Sequence, residues 1–268
     1  MRRTLMLVAL VSLAGGGAPL AQSEKAGDLP YAGRWKLNVA KSDFGETTAT
    51  YAKVGADEMQ FTMAGQSYKF KVDGKDYPSL FGRSSAWKQI DPNTWETVTK
   101  QDGTLIATDT TKLSADGKAM TVHSKGPKPA GGTFESTTVY ERVSGGPGLE
   151  GKWKTKNVQM SAPTVLALTP SGSDGLTVSI PDFKIAADLK FDGKDYPATG
   201  PGMPPGLTLA IRKTGPRSFD LVEKQNGKPL FNLSFEVSAD GKTLTETGGP
   251  VGVNEKFKAV YERQSGTT

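Results

Sequence analysis

The residues that usually carry catalysis are scarce in this sequence. It has one histidine, His123, and no cysteine, although acid–base and nucleophilic catalysis most often need a side chain whose pKa lies near neutrality. The second half of the chain has Thr247 at the corresponding place, so we interpret His123 as a polar strand residue. Without a histidine pair, a cysteine or clustered carboxylates, the sequence offers no zinc or transition-metal site. It therefore predicts a protein that is not an enzyme and that needs no metal or other cofactor.

One hexapeptide brings several polar side chains together. Asp-Gly-Lys-Asp-Tyr-Pro at 73–78 returns residue for residue at 192–197. It has two carboxylates but lacks the oxygen-rich run of a calcium loop. We interpret it as a turn in which the glycine supplies a positive φ and the proline ends the strand. A bare turn does not require the Asp-Tyr pair that both copies share, so the role of this loop stays open.

This hexapeptide is one landmark of a repeat that covers most of the chain. Ordered landmarks recur in both halves at offsets of 118 to 124 residues, which indicates a duplication with small loop insertions. We predict two modules, at 31–143 and 149–264, joined by a flexible tether at 144–148. The other main landmarks are Gly-x-Trp-Lys at 33–36 and 151–154, Ser-Ala-Asp-Gly-Lys at 114–118 and 238–242, and Val-Tyr-Glu-Arg at 139–142 and 260–263.

The first residues have the layout of a secretory signal peptide. Arg2 and Arg3 precede a short apolar stretch at 4–13, and small residues then lead to Ala21. The apolar stretch is too short for a membrane span. We predict a signal peptide at 1–21 that is cleaved after Ala21, and hence a secreted or periplasmic protein. The mature chain is expected to have no integral membrane segment.

The charge pattern argues against a nucleic-acid partner. The formal net charge is +5, two of these charges belong to the predicted signal peptide, and acidic and basic residues are interspersed along the rest of the chain. The 32 glycines and 17 prolines are typical of many short strands joined by turns.

Alternation of apolar and polar residues predicts antiparallel β-structure in both modules. It is clearest at 68–72, 183–191 and 231–237, and it is typical of strands with one buried face and one solvated face. Asp-Gly and Asn-Gly dipeptides at 102–103 and 226–227 mark hairpins. A meander of strands must close or stack to hide its edges. We therefore predict an all-β fold of two tandem antiparallel up-and-down β-barrels, with a two-sheet sandwich or one barrel shared by both copies as alternatives.

The two ends of each module resemble those of the calycins, the group that includes the lipocalins and the fatty-acid-binding proteins. Gly-x-Trp opens the first strand, and an arginine follows about 105 residues later at the end of the last strand. The resemblance implies lipocalin-like barrels in which the tryptophan plugs one end and the arginine lies over it. The pairs would be Trp35 with Arg142 and Trp153 with Arg263. The stretch 35–44 also resembles a group of uncharacterised exported bacterial proteins.

The resemblance does not extend to one functional residue of the fatty-acid-binding proteins. In those proteins an arginine two residues before the final tyrosine helps to hold the carboxylate of the ligand. In this chain Thr138 and Ala259 occupy the two matching positions. A head-group clamp of that kind is therefore not implied.

Large side chains that differ between the copies are the candidate ligand-binding residues. Trp87 corresponds to Ile211 and Trp95 to Phe219, and Tyr68 joins them as a further candidate. We expect an exported binding protein that holds a small apolar molecule inside one or both barrels, mainly through buried area. A ligand-free structural or protein-interaction module of the cell envelope or exterior is the alternative, and carbohydrate binding through exposed aromatic residues is a third reading. Aromatic rings around an open cavity would favour the first, and rings in a filled core the second.

Overall fold

The computed structural model describes residues 29–44, 47–160 and 164–265. The predicted signal peptide lies outside these residues. Within them the fold is all-β, with 20 strands and three single 3-10 turns at Val39–Lys41, Leu80–Gly82 and Pro181–Phe183. In these residues we find no helix with the length and apolar character that crossing a membrane requires.

The strands are numbered in chain order. They are β1 (Gly33–Leu37), β2 (Thr48–Lys53), β3 (Glu58–Met63), β4 (Gln66–Lys71), β5 (Asp76–Pro78), β6 (Ser84–Asp91), β7 (Thr94–Gln101), β8 (Thr104–Leu113), β9 (Ala119–Pro127), β10 (Thr133–Ser144), β11 (Gly151–Met160), β12 (Val165–Ser171), β13 (Gly175–Ile180), β14 (Ile185–Lys190), β15 (Tyr196–Pro197), β16 (Leu207–Gly215), β17 (Ser218–Gln225), β18 (Lys228–Val237), β19 (Thr243–Pro250) and β20 (Phe257–Arg263).

The strands form two antiparallel sheets of ten strands each. One has the order β4-β3-β2-β11-β10-β9-β8-β7-β6-β5, and the other has the order β14-β13-β12-β1-β20-β19-β18-β17-β16-β15. The two ends of each sheet, β4 with β5 and β14 with β15, lie against each other. Each sheet therefore nearly closes on itself and resembles a barrel, which confirms the predicted all-β, antiparallel architecture.

The first strand of each sequence repeat lies in the sheet of the other repeat. β11 pairs with β10 and β2, whereas β1 pairs with β12 and β20. Within the described residues, 44–160 thus form one compact unit (unit 1), and 29–43 with 164–265 form the other (unit 2). The boundaries predicted at 31–143 and 149–264 follow the sequence repeat. Each predicted module differs from the corresponding unit by one strand, because β1 and β11 are exchanged.

The exchange has a simple physical reason. β10 and β11 are consecutive in the chain, and a hairpin between consecutive strands forms more readily than a pairing between distant ones. β11 therefore takes the place beside β10 that β1 would otherwise fill. Residues 144–148 were predicted to be a flexible tether between modules, but Ser144 ends β10 and residues 145–148 are part of the loop of this hairpin.

Each barrel-like sheet has a tryptophan at one end with an arginine over it, but the pairs are exchanged with the strands. The guanidinium carbon of Arg142 lies 4.0 Å from the centre of the Trp153 ring, and that of Arg263 lies 4.1 Å from Trp35. Both tryptophans are fully buried. The pairing expected within each repeat, Trp35 with Arg142 and Trp153 with Arg263, is therefore wrong, because it assumed unexchanged first strands.

Arg142 also orders the loop between β10 and β11. Its guanidinium donates hydrogen bonds to four main-chain carbonyl oxygens, those of Gly117, Gly146, Gly148 and Glu150. Charge-assisted hydrogen bonds of this kind are stronger than neutral ones. The loop is therefore held against the tryptophan end of unit 1.

Candidate functional site

Unit 1 contains a cavity of about 100 Å³. Its lining comes from strands β2, β3, β4, β6, β7, β8 and β9 and from the loop between β5 and β6. Since side chains alternate between the two faces of a strand, every second residue of these strands points into the unit. Aromatic side chains form one part of the lining, and hydroxyl and charged side chains form the other.

The aromatic part of the lining is rigidly packed. Tyr51 contacts the rings of Phe61 and Trp87, with centroid distances of 4.9 and 5.8 Å. Trp87 stacks on Phe70 at 4.5 Å, and its indole N–H donates to the hydroxyl of Tyr68 at 3.0 Å. Two residues predicted from the sequence, Tyr68 and Trp87, thus line the cavity together.

The polar part of the lining follows three neighbouring strands. Thr97 on β7 pairs in register with Asp109 on β8, which pairs with Ser124 on β9. All three side chains line the cavity. The hydroxyl oxygen of Thr97 is buried without a hydrogen-bond partner among the described residues. A buried polar atom left without a partner costs folding free energy. Apolar side chains at these positions would form a more stable core, so the polar lining indicates a role other than packing.

Two side chains of opposite charge line the cavity. Arg83 is 4% exposed, and burial lowers the pKa of its guanidinium to about 10, which leaves it cationic at neutral pH. Asp109 is enclosed by protein but keeps partial solvent access. Burial raises the pKa of its carboxyl group, and a hydrogen bond with Ser124 opposes that shift.

The loop between β5 and β6 contributes a strained aromatic residue to the lining. Phe81 is buried and has φ 62° and ψ 32°, a left-handed conformation that is unfavourable for a bulky side chain. The loop is held closed because the Ser79 N–H donates to the Arg83 carbonyl oxygen at 2.7 Å. Strain of this kind is frequent at ligand-binding positions.

Most of the equivalent inward positions of unit 2 carry large apolar residues, whereas Glu223 stands at the position of Thr99. The strand registers align Thr97 with Leu221 and Asp109 with Leu233, and the unit 2 residues at these inward positions are at most 7% exposed. The same scaffold therefore carries hydroxyl and charged side chains at these inward positions in one copy and large buried apolar side chains in the other. Further equivalent pairs are Arg83 and Leu207, Ser85 and Leu209, Ala107 and Phe231, and Thr111 and Phe235.

Three other residues predicted to bind a ligand are core residues. Trp95 is 5% exposed and packs in the hydrophobic cluster of unit 1. Ile211 and Phe219 are fully buried in unit 2, where the ring of Phe219 stacks on Phe235 at 4.8 Å and meets Tyr31 edge-on at 4.9 Å. The structure therefore places Trp95 in the same hydrophobic cluster as Trp87, against which Tyr68 also packs, but not in the cavity lining, whereas Ile211 and Phe219 lie in unit 2.

Sequence reasoning missed two buried carboxyl groups in unit 2. Glu223 is 1% exposed and Glu246 is 7% exposed. Burial, with a smaller contribution from the charge of Glu246, raises the pKa of Glu223 to about 8. Glu246 accepts a hydrogen bond from the Tyr261 hydroxyl at 2.5 Å. The signal that could have found Glu223 is its place in the apolar series of alternate residues Phe219, Leu221 and Glu223.

The repeated hexapeptide has a structural role in both units. The Tyr77 hydroxyl donates to the Asp73 carboxylate at 3.0 Å, and Asp76 forms an ion pair of 2.8 Å with Lys100 on β7. The shared Asp-Tyr pair thus fixes the turn and ties it to the sheet. The second copy repeats both contacts, at 3.0 Å between Tyr196 and Asp192 and 2.6 Å between Lys224 and Asp195.

Substitution of the hexapeptide should have a small effect. Because the ion pair is partly exposed, we expect Asp76→Ala to lower the free energy of unfolding by less than about 1 kcal/mol. Urea unfolding measures this change, with Asp195→Ala as the matched variant of the second copy. A loss of several kcal/mol would contradict a purely local role for the loop.

The single histidine lies away from the cavity lining. His123 is exposed on β9, where its imidazole Nδ1 lies 3.2 Å from the Thr137 hydroxyl. This position agrees with the interpretation of His123 as a polar strand residue. Over the part of the chain that the structure describes, no three histidine, cysteine, aspartate or glutamate residues group as a metal site would require.

Comparison with known proteins gives no further guide to the site. No protein-family model matches the chain, and neither a curated protein nor a solved structure matches it. The resemblance to calycins stays a prediction from the two ends of each repeat.

Proposed function

We propose that the chain is a binding protein that holds a small molecule in the cavity of unit 1, while unit 2 is a packed structural barrel. The observation that carries this proposal is the difference between the two interiors. Protein interiors are normally packed without voids larger than a water molecule. Leu and Phe occupy most of the equivalent inward positions of unit 2, so the barrel can form without the hydroxyl and charged residues that line the cavity of unit 1.

Two further features belong to the same proposal. Closed antiparallel barrels with a hollow interior suit the binding of one small ligand, which is why we retain the lipocalin-like reading of the fold. The predicted signal peptide at 1–21 supports a secreted or periplasmic location. Binding rather than catalysis is proposed because the lining combines aromatic rings, hydroxyl groups and two charges without histidine.

The cavity limits the size and chemistry of the ligand. Its volume of about 100 Å³ is smaller than the roughly 150 Å³ of an engineered cavity that holds benzene, so a ligand of about five to seven non-hydrogen atoms fits. The best very small ligands reach about 1.5 kcal/mol per atom, so a well-matched ligand of this size binds with a dissociation constant in the micromolar range or lower. The sequence predicted an apolar ligand, but the hydroxyl and charged residues favour one that also carries polar groups.

Native mass spectrometry of the full chain purified from its own host tests the proposal. We expect a reproducible mass excess that is lost on denaturation. Ala107→Phe should abolish this excess, because it places a ring in the cavity as Phe231 does at the equivalent position of unit 2. Thr110→Phe is the matched control, since Thr110 is exposed on the outer face of the same strand.

Either of two results would contradict the proposal. An excess that persists in Ala107→Phe would place the ligand elsewhere in the molecule. A bare mass for the unsubstituted protein would favour the alternative, a ligand-free structural or protein-interaction module.

A further inference from the structure

The cavity of unit 1 is lined by one basic and one acidic side chain. Arg83 and Asp109 both line it, and the other lining residues are neither acidic nor basic. In unit 2 the equivalent residues are Leu207 and Leu233, so the barrel does not need a charge at either position. Because the fold can form with leucine at both positions, a basic and an acidic side chain at the wall of one small cavity point to a ligand that carries charges of its own.

Arg83 and Asp109 are separated along the strand direction of the barrel. Ser84, next to Arg83, pairs with Lys100 on β7, whereas Asp109 pairs with Thr97. Three residues along a strand span about 10 Å, so the main-chain positions of Arg83 and Asp109 are well separated. The directions of their pKa shifts agree with this separation. A nearby guanidinium would lower the pKa of Asp109, but burial raises it.

The surroundings of Asp109 suit a positively charged group. Tyr51 and Tyr68 lie close enough that the charge of Asp109 contributes to raising the pKa of both phenols, after the larger effect of burial. Trp87 completes this part of the lining. Aromatic faces attract ammonium groups, and a carboxylate adds a direct charge partner. Arg83 offers the complementary site, since its planar guanidinium matches a carboxylate.

Net charge decides between the candidate ligand classes. A monoanion attracted by Arg83 is repelled by Asp109, and a monocation meets the reverse situation. A zwitterion satisfies both side chains and adds no net charge to the cavity. Resting on the proposed function of unit 1, we propose that the ligand is a small zwitterion whose ammonium group lies at Asp109 against the aromatic lining and whose carboxylate lies at Arg83.

Matched probes that differ only in charge test this assignment. The probes are the unbranched ω-amino acids from glycine to 6-aminohexanoate, with the primary amine and the carboxylate of the same carbon chain at each length. Calorimetric titration of the full chain, freed of bound molecules by unfolding and refolding, gives the dissociation constants. At the best-bound length we expect the amino acid to bind at least about tenfold more tightly than its amine and its carboxylate.

Two variants identify the residues responsible. Asp109→Asn should bring the affinity ratio of amino acid to carboxylate close to one, and Arg83→Gln should do the same for the ratio of amino acid to amine. A role in folding alone would change both ratios together or neither. Thr110→Val, on the outer face of β8, is the control and should leave both ratios unchanged.

Several outcomes would overturn the assignment. They are an amine or carboxylate that binds as tightly as the amino acid at every length, no binding by any probe, and variants that leave the ratios unchanged. These results are distinguishable from failure of the proposed function. A mass excess lost in Ala107→Phe would still show an occupied cavity, and the ligand would then have a different chemistry.

Discussion

A chain that begins at residue 44 is expected to keep unit 1 folded and to lose the fold of unit 2. Unit 1 is continuous from 44 to 160 and contains all ten strands of its sheet. Unit 2 takes β1 from the other end of the chain, between β12 and β20. Without β1, its sheet is divided into two parts with unpaired edges, and Arg263 loses the Trp35 ring beneath it.

The size of this effect follows from burial. Trp35 is fully buried and Leu37 is 2% exposed. Removal of one buried large aromatic side chain typically costs about 3–5 kcal/mol, and the whole stability of a domain is about 5–15 kcal/mol. With the hydrogen bonds of two strand pairings lost as well, the remaining strands of unit 2 should not form a stable fold.

Hydrogen exchange measured by mass spectrometry distinguishes the two units in one experiment. In a chain of residues 44–268, amides of β2–β11 should stay protected and those of β12–β20 should exchange rapidly. A synthetic peptide of residues 29–43 should restore protection, and the same peptide with Trp35→Ala should not. Full protection of β12 and β20 without the peptide would contradict the exchanged arrangement.

The all-β fold could be predicted from the sequence because its signals are local. Alternation over 183–191 and 231–237 and the Asp-Gly and Asn-Gly turns each specify a short piece of structure. The exchange of β1 and β11 could not be predicted in the same way. Both strands carry Gly-x-Trp-Lys, so the exchanged and unexchanged arrangements have the same pattern, and the short hairpin loop between β10 and β11 decides between them.

The aromatic half of the site was predictable, and the polar half was not. Tyr68 and Trp87 stand out as large residues in alternating segments. On β7, in contrast, Glu96 and Thr97 point to opposite faces, yet both are polar. Periodicity identifies the inner face only when that face is apolar. The sequence pattern around Asp109 is therefore the same as that of a solvent-exposed strand face. Only the three-dimensional structure shows that these residues line a cavity.

The buried Glu223 should make unit 2 less stable at high pH. Its pKa rises from 4.5 in the unfolded chain to about 8 in the folded protein, because burial disfavours the charged form. Below about pH 4.5 the carboxyl group is protonated in both states. As the pH rises from there to about 8, the unfolded chain loses this proton while the folded protein keeps it, so the free energy of unfolding falls. Above about pH 8 both states are ionised and the effect levels off.

Glu223→Gln should remove this pH dependence. The amide keeps the size of the side chain but cannot ionise. Relative to the variant, unit 2 of the unsubstituted protein should lose about 3 kcal/mol between pH 5 and pH 8. At pH 8 the variant should be the more stable protein, because it has no buried carboxylate at this position and no charge repulsion with Glu246.

The measurement has to report on unit 2 alone, because Asp109 also has a raised pKa and lies in unit 1. Hydrogen exchange of amides in β17–β19, followed from pH 5 to 9 and corrected for the intrinsic exchange rate, gives the opening free energy of that region. Glu236→Gln is the control, since Glu236 is exposed on the neighbouring β18. Parallel pH profiles for the unsubstituted protein and Glu223→Gln would show that Glu223 ionises as readily in the folded state as in the unfolded chain, which its burial at 1% exposure argues against.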